Sequence, residues 1–326
     1  MSKRRTIATI IATGLALALN AGPAVAQGFP AKPVRIIIPF AAGGTTDVFG
    51  RLVAQRLGES WGQAVVVENR TGASGMIAAE AVAKAPADGY TLLVTTQTNL
   101  AVAPALYGKA PYDSMRDFTP IILMGSTPTI MVVNPAFPAK NFAEFVELAK
   151  KSSVPFAYGS GGVGSSPHMA GELLSAQLGI RMRHIPYKGE SPALIDTMGG
   201  QIPITFGNIT AAVPHVRSGK LRALANTGAA RSPLLPEVPT VAESGLKDFS
   251  IATWFGLLGP AGMPVNLVAR IQRDVAQILA TPDTRNRLVD MGVDIVAKSP
   301  EEFAAYLRTE TVRYAKVIKD AGIKPE

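Results

Sequence analysis

Between Val34 and Thr95 the chain alternates strand-like and helix-like segments, and this order limits the fold more than any other feature. Val34–Ile38 (VRIII) reads as a buried strand, and 46–57 carries Val48, Phe49, Leu52, Val53 and Leu57 on one helical face. Val65–Val67 is a second strand, 74–84 a small-residue helix, and 90–95 (YTLLVT) a third strand. A β-α-β-α-β order predicts a parallel sheet with helices on both faces, an α/β fold. The pattern then restarts, with strands expected at 130–133, 156–158, 182–185, 202–206 and 221–226. Asn141-x-x-Glu144, Ser166-Pro167 and Ser191-Pro192 mark helix starts. The segment 210–217 is expected to be a poor helix, because Pro214 interrupts it. A helix-rich tail follows from about Trp254, with an amphipathic helix over 264–280, a short helix after Pro282, and a helix from Ser299-Pro300-Glu301-Glu302 to Ala321.

The N-terminus predicts export. Lys3, Arg4 and Arg5 precede an uncharged, mostly apolar stretch to Leu19, and Ala24-Val25-Ala26 is a small-x-small cleavage site. The apolar core is too short for a membrane anchor, which needs about 20 residues. A signal peptide at 1–26, cleaved after Ala26 to leave a periplasmic chain, is therefore expected. The sequence contains no cysteine, so disulfides, a lipid anchor and thiolate metal sites are excluded. The formal charge is +8, three units of which come from Lys3, Arg4 and Arg5. With no basic run or basic-aromatic stripe, nucleic acid is not an expected partner. The remaining chain is long enough for two domains. The expected division is 27–125 with 250–326 packing back on it, and 126–249, so that the chain crosses twice between lobes.

Two glycine-rich loops each follow a strand and open a helix. The first is FAAGGTTD, 40–47, where Gly43 and Gly44 bare backbone N–H groups, Thr45 or Thr46 can cap, and Asp47 suits the first helical turn. The second is YGSGGVGSSPH, 158–168, whose glycines at 159, 161 and 164 spell G-x-G-x-x-G. A dinucleotide site needs an acid about 20 residues further on. The next strand instead offers Arg181, Arg183, His184 and Lys188, with no acid before Glu190, so no cofactor is expected. The alternatives are a capped glycine turn, or bare N–H groups and hydroxyls that hold a small anion. GESWG at 58–62 has the composition of a nucleophile elbow, but a helix precedes it and a strand follows, the reverse of the required order. His168, His184 and His215 lie far apart, with no metal-ligand spacing. No catalytic or metal site is expected.

These residues fall into a longer pattern. PFAAGGTTDVFGR, VENRTGASG, ADGYTLL, YGSGGVGSSPHMAGELL, IPYKGESPALIDTMGGQIPITF, LPEVPTVAESGL, TWFGLLGPAGMP and the C-terminal PEEFAAYLRTETVRYAKVIKDAGIK occur in that order across nearly the whole chain. In this the sequence resembles the Bug-type periplasmic solute-binding proteins, the receptors of tripartite tricarboxylate transporters. The resemblance implies a two-lobed type II binding-protein fold with a hinge. It also implies a small organic carboxylate as ligand, the membrane components of such a transporter as partner, and a monomer. Family members hold the carboxylate with main-chain N–H groups, hydroxyls and water, between loops that match 40–47 and 158–168. Carried over, this points to Ala42 (proline in many relatives), Gly43, Gly44 and Asp47 in the first loop. In the second it points to Ser160, Gly164, Ser165, Ser166 and His168, with the carboxylate at the helix start near Ser166. Thr96 and Asn208 follow strand ends facing the expected cleft, Ser74 begins a helix beside it, and Tyr187 lines the cleft or braces the hinge. A sensor for a signalling partner and an exported enzyme are the competing functions.

Overall fold

The computed structural model describes residues 28–325; the expected leader and its cleavage site lie outside them. The first block follows the predicted order. Strand β1 (Val34–Ile38) leads to helix α1 (Thr45–Trp61), β2 (Val65–Asn69), α2 (Met76–Ala83) and β3 (Thr91–Thr95), and β1 pairs in parallel with both β2 and β3. Helix α1 buries Phe49, Leu52, Val53 and Leu57 and ends at Gly62, whose N–H returns to the Gly58 carbonyl. A π-helical turn, Thr98–Val102, runs into α3 (Ala103–Tyr107).

Strand β4 (Phe118–Val133) has 16 residues, far more than the 130–133 that hydrophobic patterning shows. Pro120, Gly125 and Pro128 interrupt its alternation, and the strand absorbs them through register shifts between Pro120 and Ile122 and between Leu123 and Gly125. The second block then runs α4 (Phe142–Lys151), β5 (Phe156–Ser160), α5 (Ser166–Leu178), β6 (Met182–Pro186), α6 (Glu190–Met198), β7 (Ile204–Asn208), α7 (Ile209–Arg217) and β8 (Arg222–Asn226). Two helix starts fall earlier than their Ser-Pro signals. Ser165 rather than Ser166 caps α5, and α6 begins at Glu190 after Gly189. The segment around Pro214 is a helix after all. Burial of Ile209, Ala212 and Val213, in a cluster that includes Ile130 and Val132 of β4, outweighs the one helical hydrogen bond that proline removes.

The tail comprises β9 (Ala252–Pro260), α8 (Val265–Ala280), α9 (Pro282–Asp290), β10 (Asp294–Lys298) and α10 (Pro300–Asp320). The strand order is β2-β1-β3-β9-β4-β7-β5-β6, with β8 and β10 also pairing β4. The N-terminal part of β4 pairs antiparallel with β9 and β10, and Thr129–Val133 pairs antiparallel with β7, while β8 pairs Ile130–Val133. One long strand thus belongs to both lobes. The return crossing lies beside it: the Ile251 N–H donates to the Thr227 carbonyl (2.7 Å), and the Thr227 N–H to Thr129 (2.8 Å).

Each lobe has its own core. Phe49, Leu92, Phe255, Ile271 and Val275 share one cluster in the first lobe. On α8, burying Val268, Ile271, Val275 and Ile278 contributes about 1.5–3 kcal/mol per side chain. Phe145, Tyr158, Met169 and Phe206 share the main cluster of the second lobe. On helix α10, Phe303 and Leu307 pack with Trp254 and Leu93, whereas Tyr314 and Ile318 join the cluster of Phe145 and Phe206, which also takes in Ala101, Val102 and Leu106. Gly256 on β9 permits this, because a Cβ there would collide with the Phe303 ring.

Candidate functional site

A cleft of about 100 Å³ lies where the first turns of several helices converge at strand ends. Ala42, Gly44, Thr45 and Thr46 line it from one lobe, and Gly161, Ser165, Ser166, Gly189 and Glu190 from the other. Thr96, Thr98, Asn208 and Thr253 complete the polar wall, with Lys188 also lining it. Most of these side chains are buried: Thr45, Thr46, Thr96, Ser166 and Asn208 all expose 6% or less.

In the first loop, Gly44 precedes α1 without a side-chain cap, and the first helical hydrogen bond runs from Val48 back to Gly44. The N–H groups of Thr45 and Thr46 come before that bond, and both residues line the cleft. Asp47 faces the other way. It accepts the Gly43 N–H (2.9 Å), Arg51 Nε (2.9 Å) and Asn69 Nδ2 (2.7 Å), so it fixes the loop from behind. Burial pushes the Asp47 carboxyl up, but these hydrogen bonds and the Arg51 charge outweigh it and hold the group below the usual aspartate value.

The second loop turns its hydroxyls inward. Ser165 Oγ caps α5 by accepting the His168 N–H (3.3 Å) and donates to the Gly162 carbonyl (2.7 Å). Ser160 Oγ accepts the Gly162 N–H (3.1 Å) and lies 2.7 Å from His184 Nε2. The Gly164 N–H donates to His168 Nδ1 (3.1 Å), and the His168 and His184 rings lie 4.0 Å apart. Burial drives His184 down to about 4, so it is neutral at physiological pH. The Ser160–His184 pair has the spacing of a nucleophile and base, but Ser160 is fully buried and is not in the cleft wall.

Just before the third wall, the Tyr187 hydroxyl donates to Asp196 (2.7 Å). Burial, with Asp196 beside it, pushes that phenol up to about 12. Gly189 and Glu190 follow at the uncapped start of α6. Glu190 Oε2 accepts the Thr45 hydroxyl (3.3 Å), which joins the lobes across the cleft. Burial raises the Glu190 carboxyl to about 7, against the lowering pull of Thr45 and the Asn208 backbone N–H. A second cross-lobe bond runs from Ser74 Oγ to the Val163 carbonyl (3.0 Å). Asn208 precedes α7 and accepts the Thr253 hydroxyl through Oδ1 (2.7 Å).

Of the residues expected from sequence, Ala42, Gly44, Thr96, Ser165, Ser166 and Asn208 stand in the wall. Gly43, Asp47, Ser74, Ser160, Gly164, His168 and Tyr187 lie outside the lining set, several of them bracing it through the bonds above. Sequence reasoning missed Glu190, Thr98 and Thr253. Glu190 was visible as the third case of a strand, a glycine and a helix start, the arrangement that singled out the other two loops. Among the described residues no cluster of three or more His, Asp or Glu could hold a metal, and no helix is long and apolar enough to cross a membrane.

A two-lobed α/β molecule closed over a polar cleft at its strand ends is a binding protein of the periplasmic class. The model for tripartite tricarboxylate transporter family receptors (TctC) matches residues 49–323. BugT of Bordetella pertussis is 34% identical over 325 residues, covering 99% of this chain and 99% of BugT. Among solved structures, R. palustris Rpa4515 with adipate is 36% identical, covers 91% of this chain and 100% of its own, and superposes with a TM-score of 0.87. The periplasmic binding protein BugD is 33% identical, with a TM-score of 0.85 over 91% of this chain and 100% of its own. The chain belongs to the tripartite tricarboxylate transporter receptor family, whose solved members are solute-binding proteins.

Proposed function

We propose that this protein captures a small organic carboxylate between its lobes in the periplasm. It then delivers that acid to the membrane components of a tripartite tricarboxylate-type transporter, acting as a monomer without cofactor or catalysis. The observation that carries this reading is the pair of uncapped helix starts, α1 and α6, that face one cleft from opposite lobes. Each helix N-terminus carries about half a positive charge and orphan N–H donors, so the cleft favours an anion without an arginine clamp. The adipate held by Rpa4515 supports the same ligand class. In this reading the chain is cleaved after Ala26, the lobes are 27–125 with 250–326 and 126–249, and the ligand carboxylate lies among Thr45, Thr46 and Ser166.

The test is a thermal-shift screen of the processed protein against a library of small carboxylates, followed by calorimetry on the hits. A ligand that binds only the folded state at a hundredfold excess over Kd stabilises it by about 2.7 kcal/mol, so true ligands raise Tm. If no acid in the library raises it, the reading is wrong.

A further inference from the structure

Glu190 is the acid that faces into the cleft, and the donors around it are neutral. They are the Thr45 hydroxyl from α1 and the backbone N–H of Asn208 at the start of α7. Thr46 from α1, Ser165 and Ser166 from α5, and Thr253 from β9 are uncharged as well. Asp47 is turned back onto Arg51 and its own loop. The cation on the same loop, Lys188, is an exposed residue at the cleft, and among the described residues no ion pair links it to Glu190. A carboxylate closed into a small space without a charged partner is costly. It is also free to accept more hydrogen bonds, because an ionised carboxylate has about four acceptor sites.

A ligand carboxylate bound in this cleft shares a space of about 100 Å³ with Glu190, which already reaches Thr45 at the start of α1. A second ionised carboxylate there would meet a like charge at close range, whereas a donor would complete the acceptors of Glu190 and supply the missing charge partner. We infer that Glu190 selects the ligand: the cleft takes a short acid that also carries an ammonium group, and disfavours the dicarboxylate of the same length. This rests on the carboxylate-receptor reading above and narrows it.

The protonation of Glu190 gives the selection a direction in pH. In the empty cleft burial raises this carboxyl to about 7. An ammonium ligand needs the ionised form, so its binding releases a proton below that value, and its affinity rises as pH rises through 7. A dicarboxylate needs the protonated form, so it takes up a proton, and its affinity falls over the same interval.

The test is calorimetry on the processed protein and on Glu190→Gln, with matched pairs of a short ω-amino acid and the dicarboxylate of equal chain length. Each pair is measured at about pH 8 and pH 6, in two buffers of different ionisation heat. The wild type is expected to bind the amino acid at least about tenfold more tightly than its dicarboxylate at pH 8. It is also expected to release protons with the first and take them up with the second. Glu190→Gln should shrink the preference at least about tenfold and abolish the proton exchange, one pKa unit being a tenfold effect. A tighter dicarboxylate at pH 8, or a preference unmoved by Glu190→Gln, overturns the inference and leaves the receptor reading standing. Failure of every acid to bind either protein removes the receptor reading, and the inference with it.

Discussion

The two glycine-rich loops look alike in sequence but use their donors differently. In 40–47 the acid Asp47 is turned away and holds Gly43 in place, so the first turn of α1 keeps its N–H groups for the cleft. In 158–168 the hydroxyls are already committed: Ser165 caps its own helix and bonds Gly162, and Ser160 serves Gly162 and His184. Pro167 removes another donor from the first turn of α5. On the proposed reading the first loop is therefore the main anion-holding surface, and the second offers chiefly the Ser166 N–H. A glycine run and a helix start do not make a binding loop; the fate of its cap decides.

The largest expected effect comes from breaking the first loop without unfolding it. Thr45→Pro keeps α1, because proline suits the first helical position and Gly44 before it is extended. It deletes one bare N–H and the hydroxyl that reaches Glu190. Affinity for a confirmed carboxylate should fall roughly a hundredfold while Tm holds, since a hydrogen bond to a charged group contributes about 1.5–3 kcal/mol. Titration calorimetry beside a melting curve separates the two.

Asp47→Asn tests the brace behind that loop. Because Asp47 titrates below its ordinary value of 3.8, its contribution is fully present above that pH and is lost as pH falls through the lower folded value. The variant should be less stable than wild type by roughly 1.5–2 kcal/mol at neutral pH, and the two should converge in acid as pH falls through the lowered folded value. Denaturant melts across pH measure this; a gap that persists in acid would mean that shape, not charge, holds the loop.

The smallest effect sharpens the contrast. Ser165→Ala removes an N-cap, so it should lower stability by about 1 kcal/mol and weaken the ligand only severalfold. Arg183→Ala, on the exposed edge of β6, serves as a control that changes neither. If Ser165→Ala costs as much affinity as Thr45→Pro, the loops are equivalent and the distinction fails.

Much of the fold was legible because its elements are amphipathic and punctuated: VRIII, the α1 face and the Ser299 cap announce themselves. Strand β4 did not, because Pro120, Gly125 and Pro128 carry the turn and loop signature while pairing with β9 supplies the hydrogen bonds. Helix α7 was hidden by Pro214, whose cost only tertiary burial can offset. In the site, residue types at loop tips could be read but their directions could not. Asp47 and Ser165 are ordinary candidates by type, and only hydrogen-bond partners reveal that both are turned to structural use. Glu190 was seen as an acid too late for a nucleotide motif, and its meaning appears only when Thr45 arrives from the other lobe.

Helix α10 runs along two hydrophobic clusters that flank β4. It is a rod roughly 30 Å long, with Phe303 and Leu307 in one hydrophobic cluster and Tyr314 and Ile318 in another. Between these anchors the buried Glu310 accepts the Trp254 indole N–H (3.2 Å), and Arg313 grips the Ser250 carbonyl at the return crossing. On the proposed reading, a swing that separated these clusters would have to bend this rod or shear it off one of them, and a packed helix tolerates only gentle curvature. On that reading, a membrane partner would then tell loaded from empty protein by a small angular displacement.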